Sequence, residues 1–500
     1  MAAFYPVRHG YRSQHPAAGG AWQNGRMNST DPVDTTLARI RATVGEAGWL
    51  AGDAREPLLR EWRGLYRSVP VAVVAPATTA EVARVLALCS EAGIAVVPQS
   101  GNTGLCGGAA CDTSGTQLLL SLRRMRRIRE IDTANETLTA EAGCILADLQ
   151  RAAEDVDRLF PLSLAAEGSC MLGGNLATNA GGTNVLRYGN ARDLCLGLEV
   201  VLADGRIWNG LSGLRKDNSH YDLKNLFIGA EGTLGVITAA VLRLFPRPRQ
   251  TRTALVALES PAAAVQLLPA LRECSGDTLT GCELMSRTSL ATAIDHIQGC
   301  ADPFEAAYPW YLLVELSTPR PGDELREGLE AALGDALESG RALDAVVAES
   351  VQQARTLWHL RESIPEGQRH DGASIKHDVS VAVSRIPAFL EEATTRIEAA
   401  IPGVRVCPFG HLGDGNIHFN LSQPRHEDPG AFLARWAECN RIVHDVVAAM
   451  GGSIAAEHGV GQLKVGELER LKDPVELELM RSIKTALDPG GVMNPGKILR

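Results

Sequence analysis

Apolar residues recur along this chain in two rhythms, and the switch between them marks out its elements. Leu37, Ile40 and Val44 fall at helical spacing over 35–44. Residues 71–74 form a short apolar run closed by Pro76, the pattern of a buried strand. Thr78 and Glu81, three apart ahead of the next apolar run, make a capping box. Val82, Val85, Leu86 and Cys89 follow at i, i+3, i+4 and i+7, and Gly93 closes the helix. A second strand over 94–98 completes a strand–helix–strand unit that opens directly into a glycine-rich loop, 99–108. Further strands are expected over 118–122 and 137–143, a helix over 145–153, and a hairpin over 198–208 turning on Asp204-Gly205. Pro246-Arg247-Pro248-Arg249 breaks the pattern and marks a domain boundary. Beyond it, alternation over 254–258 and 311–316 with a helical stretch over 324–337 predicts an α+β second domain. Asp473 and Pro474 supply the N-cap and first-turn proline of a terminal helix carrying Val475, Leu477, Met480, Ile483 and Leu487.

Three stretches interrupt these rhythms with small residues. The loop 99–108 can turn successive backbone N–H groups toward one anion, although it is not the Gly-x-Gly-x-x-Gly of a dinucleotide-binding turn. Residues 166–182 are the densest in glycine and alanine, with too few large side chains to build a core. Such a stretch serves close backbone approach, to another protein segment or to a flat cofactor. Residues 225–238 thread glycines through apolar positions in the same way. The end of the chain, 491–498, imitates a phosphate-binding loop but has Ile498 where a metal-binding hydroxyl belongs, so no nucleoside triphosphate site is expected.

Composition narrows the class. A chain of 500 residues exceeds one hydrophobic core, so two or three domains are expected. The net charge of -10 argues against nucleic acid as a partner, and the short basic run 123–127 reads as a solvated face. Eleven scattered cysteines without a Cys-x-x-Cys pair fit a reducing compartment, and a cytoplasmic location is expected. No apolar run approaches the length of a membrane span, so an integral membrane protein is not expected. Residues 1–30 are expected to be a disordered tail, or a leader upstream of a true start at Met27; they lack the apolar centre of a secretory signal.

The chemistry concentrates near the end of the second domain. His411 and His418 flank Gly413, Asp414 and Gly415, and Glu457 and His458 precede Gly459 and Gly461. Histidine is both the commonest metal ligand and the side chain best placed to move protons near neutral pH. The two stretches are read as halves of one site. Glu457 and His458 are adjacent, so both can face it only if the backbone leaves strand geometry there. Asp414 reads as a turn former with Gly415 rather than a ligand.

Together these segments resemble the vanillyl-alcohol oxidase type of flavoproteins, with a PCMH-type FAD-binding domain, and within it the D-2-hydroxyacid dehydrogenase branch. The resemblance rests on 98–108, 168–182 and 228–235 for the flavin domain, and on 411–418, 456–461 and 488–497 for the branch. It implies an α+β fold: an FAD-binding domain over 31–248, a substrate and metal domain over 249–460, and a helical segment over 461–500 returning to the flavin domain. It further implies that Ser100, Gly101, Asn102, Thr103 and Gly104 wrap the FAD pyrophosphate. Gly168, Ser169, Gly174, Thr178, Asn179 and Gly182 would line the flavin, Glu231 and Ile237 would lie nearer the adenosine half, and Asn494 would reach back to the flavin. The loop reads Ser-Gly-Asn-Thr where some relatives carry a flavin-linked histidine, so non-covalent FAD is expected.

With the chemistry of hydroxy-acid oxidation, the resemblance implies a divalent metal on His411, His418 and Glu457, with Zn²⁺ first and Mn²⁺ or Fe²⁺ tolerated. His458 would be the general base. Arg361, Lys376 and Asn420 would meet the substrate; Lys376 matches the hydroxyglutarate-type members and points to a dicarboxylate. Pro365 departs from the pattern, standing where those members offer a Thr hydroxyl. The expected reaction is oxidation of a small-molecule D-2-hydroxy acid, D-2-hydroxyglutarate first. D-lactate or another monocarboxylate is the alternative, and outside the class stand a flavin-free metallohydrolase and a flavin-binding protein without turnover. Electrons would pass to a separate acceptor such as an electron-transfer flavoprotein or a quinone. A homodimer stays open, no interface being legible.

Overall fold

Thr78 and Glu81 close the capping box foreseen from their spacing. The Glu81 amide donates to Thr78 Oγ1 at 3.1 Å, the Ala77 amide to Glu81 Oε2 at 2.8 Å, and the helix Thr79–Ala92 ends on Gly93 at φ 66°. This computed structural model describes residues 32–500, so the expectations for a tail over 1–30 and a start at Met27 lie outside the described residues. The capped helix shares one core with the first helix, Pro32–Gly48, and a four-stranded sheet. The strands run in the order Trp49–Leu50, Ala72–Val74, Leu118–Ser121, Val96–Gln99; the last three are parallel, as strand–helix–strand connections require.

The end of the chain extends this sheet. The Val96 amide donates to Val492 O and the Asn494 amide to Val96 O, both at 2.8 Å, and Val492 and Met493 bury in the same core. The phosphate-loop look-alike is thus spent on sheet pairing. It is anchored by the helix Pro474–Leu487, which Asp473 caps by accepting the Val475 and Glu476 amides.

A five-stranded antiparallel sheet follows, in the order Ile128–Asp132, Thr137–Glu141, Val236–Arg243, Cys195–Val201, Ile207–Gly210. Its last two strands are the hairpin expected at Asp204-Gly205, with Gly205 at φ 86°. Two small-residue stretches meet beside it. A Cβ on Gly101 would come within 2.6 Å of Ser169 O, and one on Gly173 within 2.9 Å of Ser100 Oγ. The small residues of 166–182 therefore serve backbone-to-backbone approach as well as any cofactor.

Beyond the boundary lies an eight-stranded antiparallel sheet. Its order is Asp344–Val347, Gln250–Leu258, Trp310–Thr318, Leu279–Ser286, Arg405–His411, Asn416–Ser422, Ser374–Ile375, with Asp378–Ser380 also paired to Asn416–Ser422. The helices Pro261–Ser275, Glu324–Glu338, Ile386–Ala400 and Trp436–Ala449 cover one face, where Ile417, Phe419 and Leu421 point. The helices Arg287–His296 and Val351–Glu362 cover part of the other, with Met285, Tyr311 and Phe409. The uncovered part of that second face carries the chemistry.

Candidate active site

Strand alternation sets the site. Ile417 and Phe419 point to the helices, so Asn416, His418 and Asn420 point to the opposite face. Across the ladder His411 pairs with Asn416, Phe409 with His418, Glu283 with His411, and Asp378 with His418. Paired residues share a face, so Glu283, His411, His418 and Asp378 form a row across three strand pairings. His411 ends one strand and His418 is the third residue of the next, in a hairpin turned by Asp414, whose Oδ1 accepts the Asn416 amide at 3.1 Å, with Gly415 at φ 88°.

Asp378 solves the problem of the adjacent Glu457 and His458. Its Oδ2 accepts both backbone amides, each at 2.9 Å, and so bends 456–459 out of strand geometry until both side chains face the row. Asn416 Nδ2 donates to its Oδ1 at 2.9 Å. Burial would raise this carboxyl, but His458 and Lys464 overcome that and hold it well below the usual range, a fixed anion. His458 Nδ1 stands 3.5 Å from Asp378 Oδ2, and its ring lies parallel to that of His418 at 6.0 Å.

His411, His418 and Glu457 converge. His411 Nε2 is 3.6 Å from Glu457 Oε1, and His418 Nε2 is 3.8 Å from Oε2. These separations are too long for hydrogen bonds, whereas ligand atoms around a tetrahedral ion with bonds of about 2.0–2.1 Å stand about 3.3 Å apart. Glu283 can only accept, so His411 Nδ1 donates to its Oε1 at 2.6 Å and Nε2 is the atom left facing Glu457. Burial alone would lower His411, but Glu283 and Glu457 push it up to about 9, the mark of excess negative charge. Burial holds His418 well below its ordinary value, hence neutral and able to ligate. Among the described residues the group whose ligand atoms all lie within 4.8 Å of one another is Asp378, His418, Glu457 and His458, without His411; imidazole and carboxylate donors of this kind fit a divalent metal.

A cavity in the flavin domain reaches His458. Ser100, Gly101, Asn102, Thr103, Gly104, Gly174, Thr178, Glu231, Ile237 and His458 all line it. His458 thus stands where the small-residue loops and the histidine row meet. Asn102, Asn179, Glu231 and Asn494 all hold φ between 40° and 54°, and such strain outside glycine gathers at functional sites.

Other expected contacts fall differently. Gly168 and Ser169 are exposed and do not line the cavity; Ser169 packs its carbonyl on Gly101. Asn179 Oδ1 accepts the Arg192 amide at 3.0 Å instead of reaching the cavity. The Gly182 amide donates to Glu457 Oε1 at 2.7 Å, tying the flavin domain to the proposed ligand. Asn494 is buried and gives its amide to Gly108 O and Glu231 O, bracing the loop from behind. The Glu231 carboxylate is not turned to an adenosine: both oxygens accept amides, from Val460 at 2.7 Å and Gly461 at 2.8 Å, and so hold the loop after His458. Asn420 donates to Gln368 Oε1 at 2.8 Å, which removes its amide from the substrate. Arg361 is buried and commits Nε and Nη2 to Glu283 at 2.9 and 2.7 Å, with its guanidinium over Phe409. Pro365 takes a first-turn position in the helix Ile364–His370, where a missing N–H costs nothing.

Sequence reasoning missed Asp378 and Glu283. Glu283 is the one charge in the otherwise uncharged strand Leu279–Ser286, a visible signal of a buried ion pair. Asp378 lies two residues after Lys376, and strand parity would have put it on the same face.

Comparison with known proteins agrees with this geometry. Residues 70–210 match the FAD binding domain family, and 247–498 match the FAD linked oxidases, C-terminal domain. The chain is 37% identical over 440 residues to the D-2-hydroxyglutarate dehydrogenase of Xanthomonas citri pv. viticola, covering 88% of this chain and 91% of that protein. It is 34% identical over 478 residues to the mitochondrial D-2-hydroxyglutarate dehydrogenase of Arabidopsis thaliana, covering 95% and 83%. It is 32% identical to the D-2-hydroxyglutarate–pyruvate transhydrogenase of Saccharomyces cerevisiae over the full length of both. Among solved structures, substrate-bound p-cresol methylhydroxylase superposes with a TM-score of 0.73 at 18% identity, covering 93% of this chain and 96% of that one. An alkyldihydroxyacetonephosphate synthase gives 0.69 at 16%, covering 94% and 86%.

Proposed function

We propose, from the premise that this chain belongs to the FAD-linked oxidases and is an FAD-dependent D-2-hydroxyacid dehydrogenase, that its substrate is D-2-hydroxyglutarate, oxidised to 2-oxoglutarate. Membership sets aside the flavin-free hydrolase. What supports the substrate reading is Lys376, which lies between the strands Ser374–Ile375 and Asp378–Ser380, two residues before Asp378 and of the same parity.

His458 takes the hydroxyl proton. Its Nδ1 faces Asp378, which orients the ring and stabilises the imidazolium that forms, leaving Nε2 for the substrate. Arg361, locked by Glu283, orients the carboxylate next to the reacting carbon, and Lys376 faces the far one. FAD, bound without a covalent link, supplies the two-electron acceptor for hydride from C2. A divalent cation on His411, His418 and Glu457, Zn²⁺ first and Mn²⁺ or Fe²⁺ tolerated, supplies Lewis acidity at the hydroxyl oxygen. The electrons leave to a separate acceptor, an electron-transfer flavoprotein or a quinone.

Anaerobic titration tests the proposal. Flavin bands near about 370 and about 450 nm should bleach with D-2-hydroxyglutarate and far less with D-lactate. Chelation should stop bleaching while the flavin stays bound. Preferential bleaching by D-lactate would transfer the assignment to the monocarboxylate, the direction in which Pro365 points. Full bleaching after verified metal removal would end the metal's role.

A further inference from the structure

Three cations, Arg63, Arg369 and Lys376, gather where the two domains touch, and none is paired with a carboxylate. Lys376 follows Ser374–Ile375 at the sheet edge and is half-buried. Arg369 is on the helix Ile364–His370, and its guanidinium lies over the ring of Trp62, at 5.9 Å. Arg63 follows Trp62 in a flavin-domain loop and gives Nη1 to Leu105 O at 3.3 Å, beside the small-residue loop that lines the cavity. Both guanidiniums act on Lys376, and no carboxylate counters them; burial first, then Arg63 and Arg369, hold it down to about 8. Among the described residues none of the three has an ion-pair partner. Asp371 pairs with Arg405, and Glu61 accepts the Leu65 amide through Oε2 while its Oε1 is buried without a hydrogen-bond partner.

A chain seldom gathers three cations across a domain boundary without an anion to receive. Arg369 is exposed, so solvent screens part of the repulsion among them, and a bound negative group relieves the rest. Lys376 and Asp378 are two residues apart on extended chain, a rise of about 7 Å. Pro365 removes a hydroxyl at this end and leaves the work to charge.

Resting on the dehydrogenase reading above, we infer that Arg63 and Arg369 are specificity-determining residues which, with Lys376, clamp the far carboxylate of a dicarboxylic 2-hydroxy acid between the two domains. Arg63 comes from the flavin domain and Arg369 from the substrate domain, so the clamp forms only where both domains meet the same anion. A 2-hydroxy acid with an uncharged tail leaves the three cations unrelieved.

Steady-state oxidation of D-2-hydroxyglutarate and D-2-hydroxybutyrate by the flavin-loaded full chain, with an artificial electron acceptor, tests this. In Arg63→Met and Arg369→Met the ratio of kcat/KM for the diacid to that for the monoacid should fall about tenfold or more each, through KM, the size expected for losing one charged hydrogen bond. Arg369→Lys should recover most of the ratio. An unchanged ratio in both Met variants, with an intact flavin spectrum, overturns the clamp and leaves the dehydrogenase standing. Equal loss for both acids also overturns it, by showing a merely structural role. Failure of the parent protein to bleach with any D-2-hydroxy acid overturns the underlying activity, and the clamp with it.

Discussion

At the scale of the residue, one carboxylate organises the chemistry. Asp378 accepts two backbone amides and one from Asn416 and faces His458, the proposed base, so it would work through its neighbours rather than on the substrate. Asp378→Asn keeps the shape but loses the charge, and should slow anaerobic flavin bleaching by about 10²–10⁴-fold, the usual worth of a positioned base. Bound flavin and metal content should stay at parental levels. A variant that bleaches at the parental rate would remove Asp378 from the mechanism. His411, His418, Glu457 and His458 were legible because histidines beside glycines are rare enough to notice. Asp378 and Glu283 were not, because their partners lie far along the chain and are joined only by sheet pairing.

At the scale of the element, the hairpin Arg405–His411/Asn416–Ser422 carries both histidines, and its turn is packed against a neighbour. Gly415 sits at φ 88°, and a Cβ there would collide with Val381 O. Gly415→Ala should therefore cost about 1–3 kcal/mol in stability. It should also weaken metal retention, since His411 and His418 flank the turn. An unfolding midpoint and metal content equal to the parent's would show that the turn tolerates the side chain. Helices and strands with a strong period, such as Thr79–Ala92 and Pro474–Leu487, were legible nearly to their ends, because caps and spacing are local. The extent and order of the eight-stranded sheet were not, since nothing local tells Leu279–Ser286 that it lies beside Arg405–His411.

At the scale of the whole molecule, the prolines over 246–249 stand just before Gln250–Leu258, the first strand in the chain of the eight-stranded sheet, and the small-residue stretches pointed to the flavin domain. What could not be read was how completely each domain holds the other's working parts. Glu231 of the flavin domain fixes the loop after His458, and Glu457 of the substrate domain accepts the Gly182 amide. These two reciprocal grips would make flavin and the proposed cation partners in one equilibrium. If flavin orders 178–182 and the cation orders Glu457, each ligand spends less freedom when the other is already in place, and linkage requires the two gains to be equal. Removing flavin should weaken Zn²⁺ binding by the same factor by which removing Zn²⁺ weakens flavin binding. Titration calorimetry on the two half-loaded forms measures both arms, and Zn²⁺ affinity indifferent to flavin would show that the grips transmit nothing. Two cofactors that never share a ligand atom would then be loaded as a cooperative pair, each a quality check on the other's arrival.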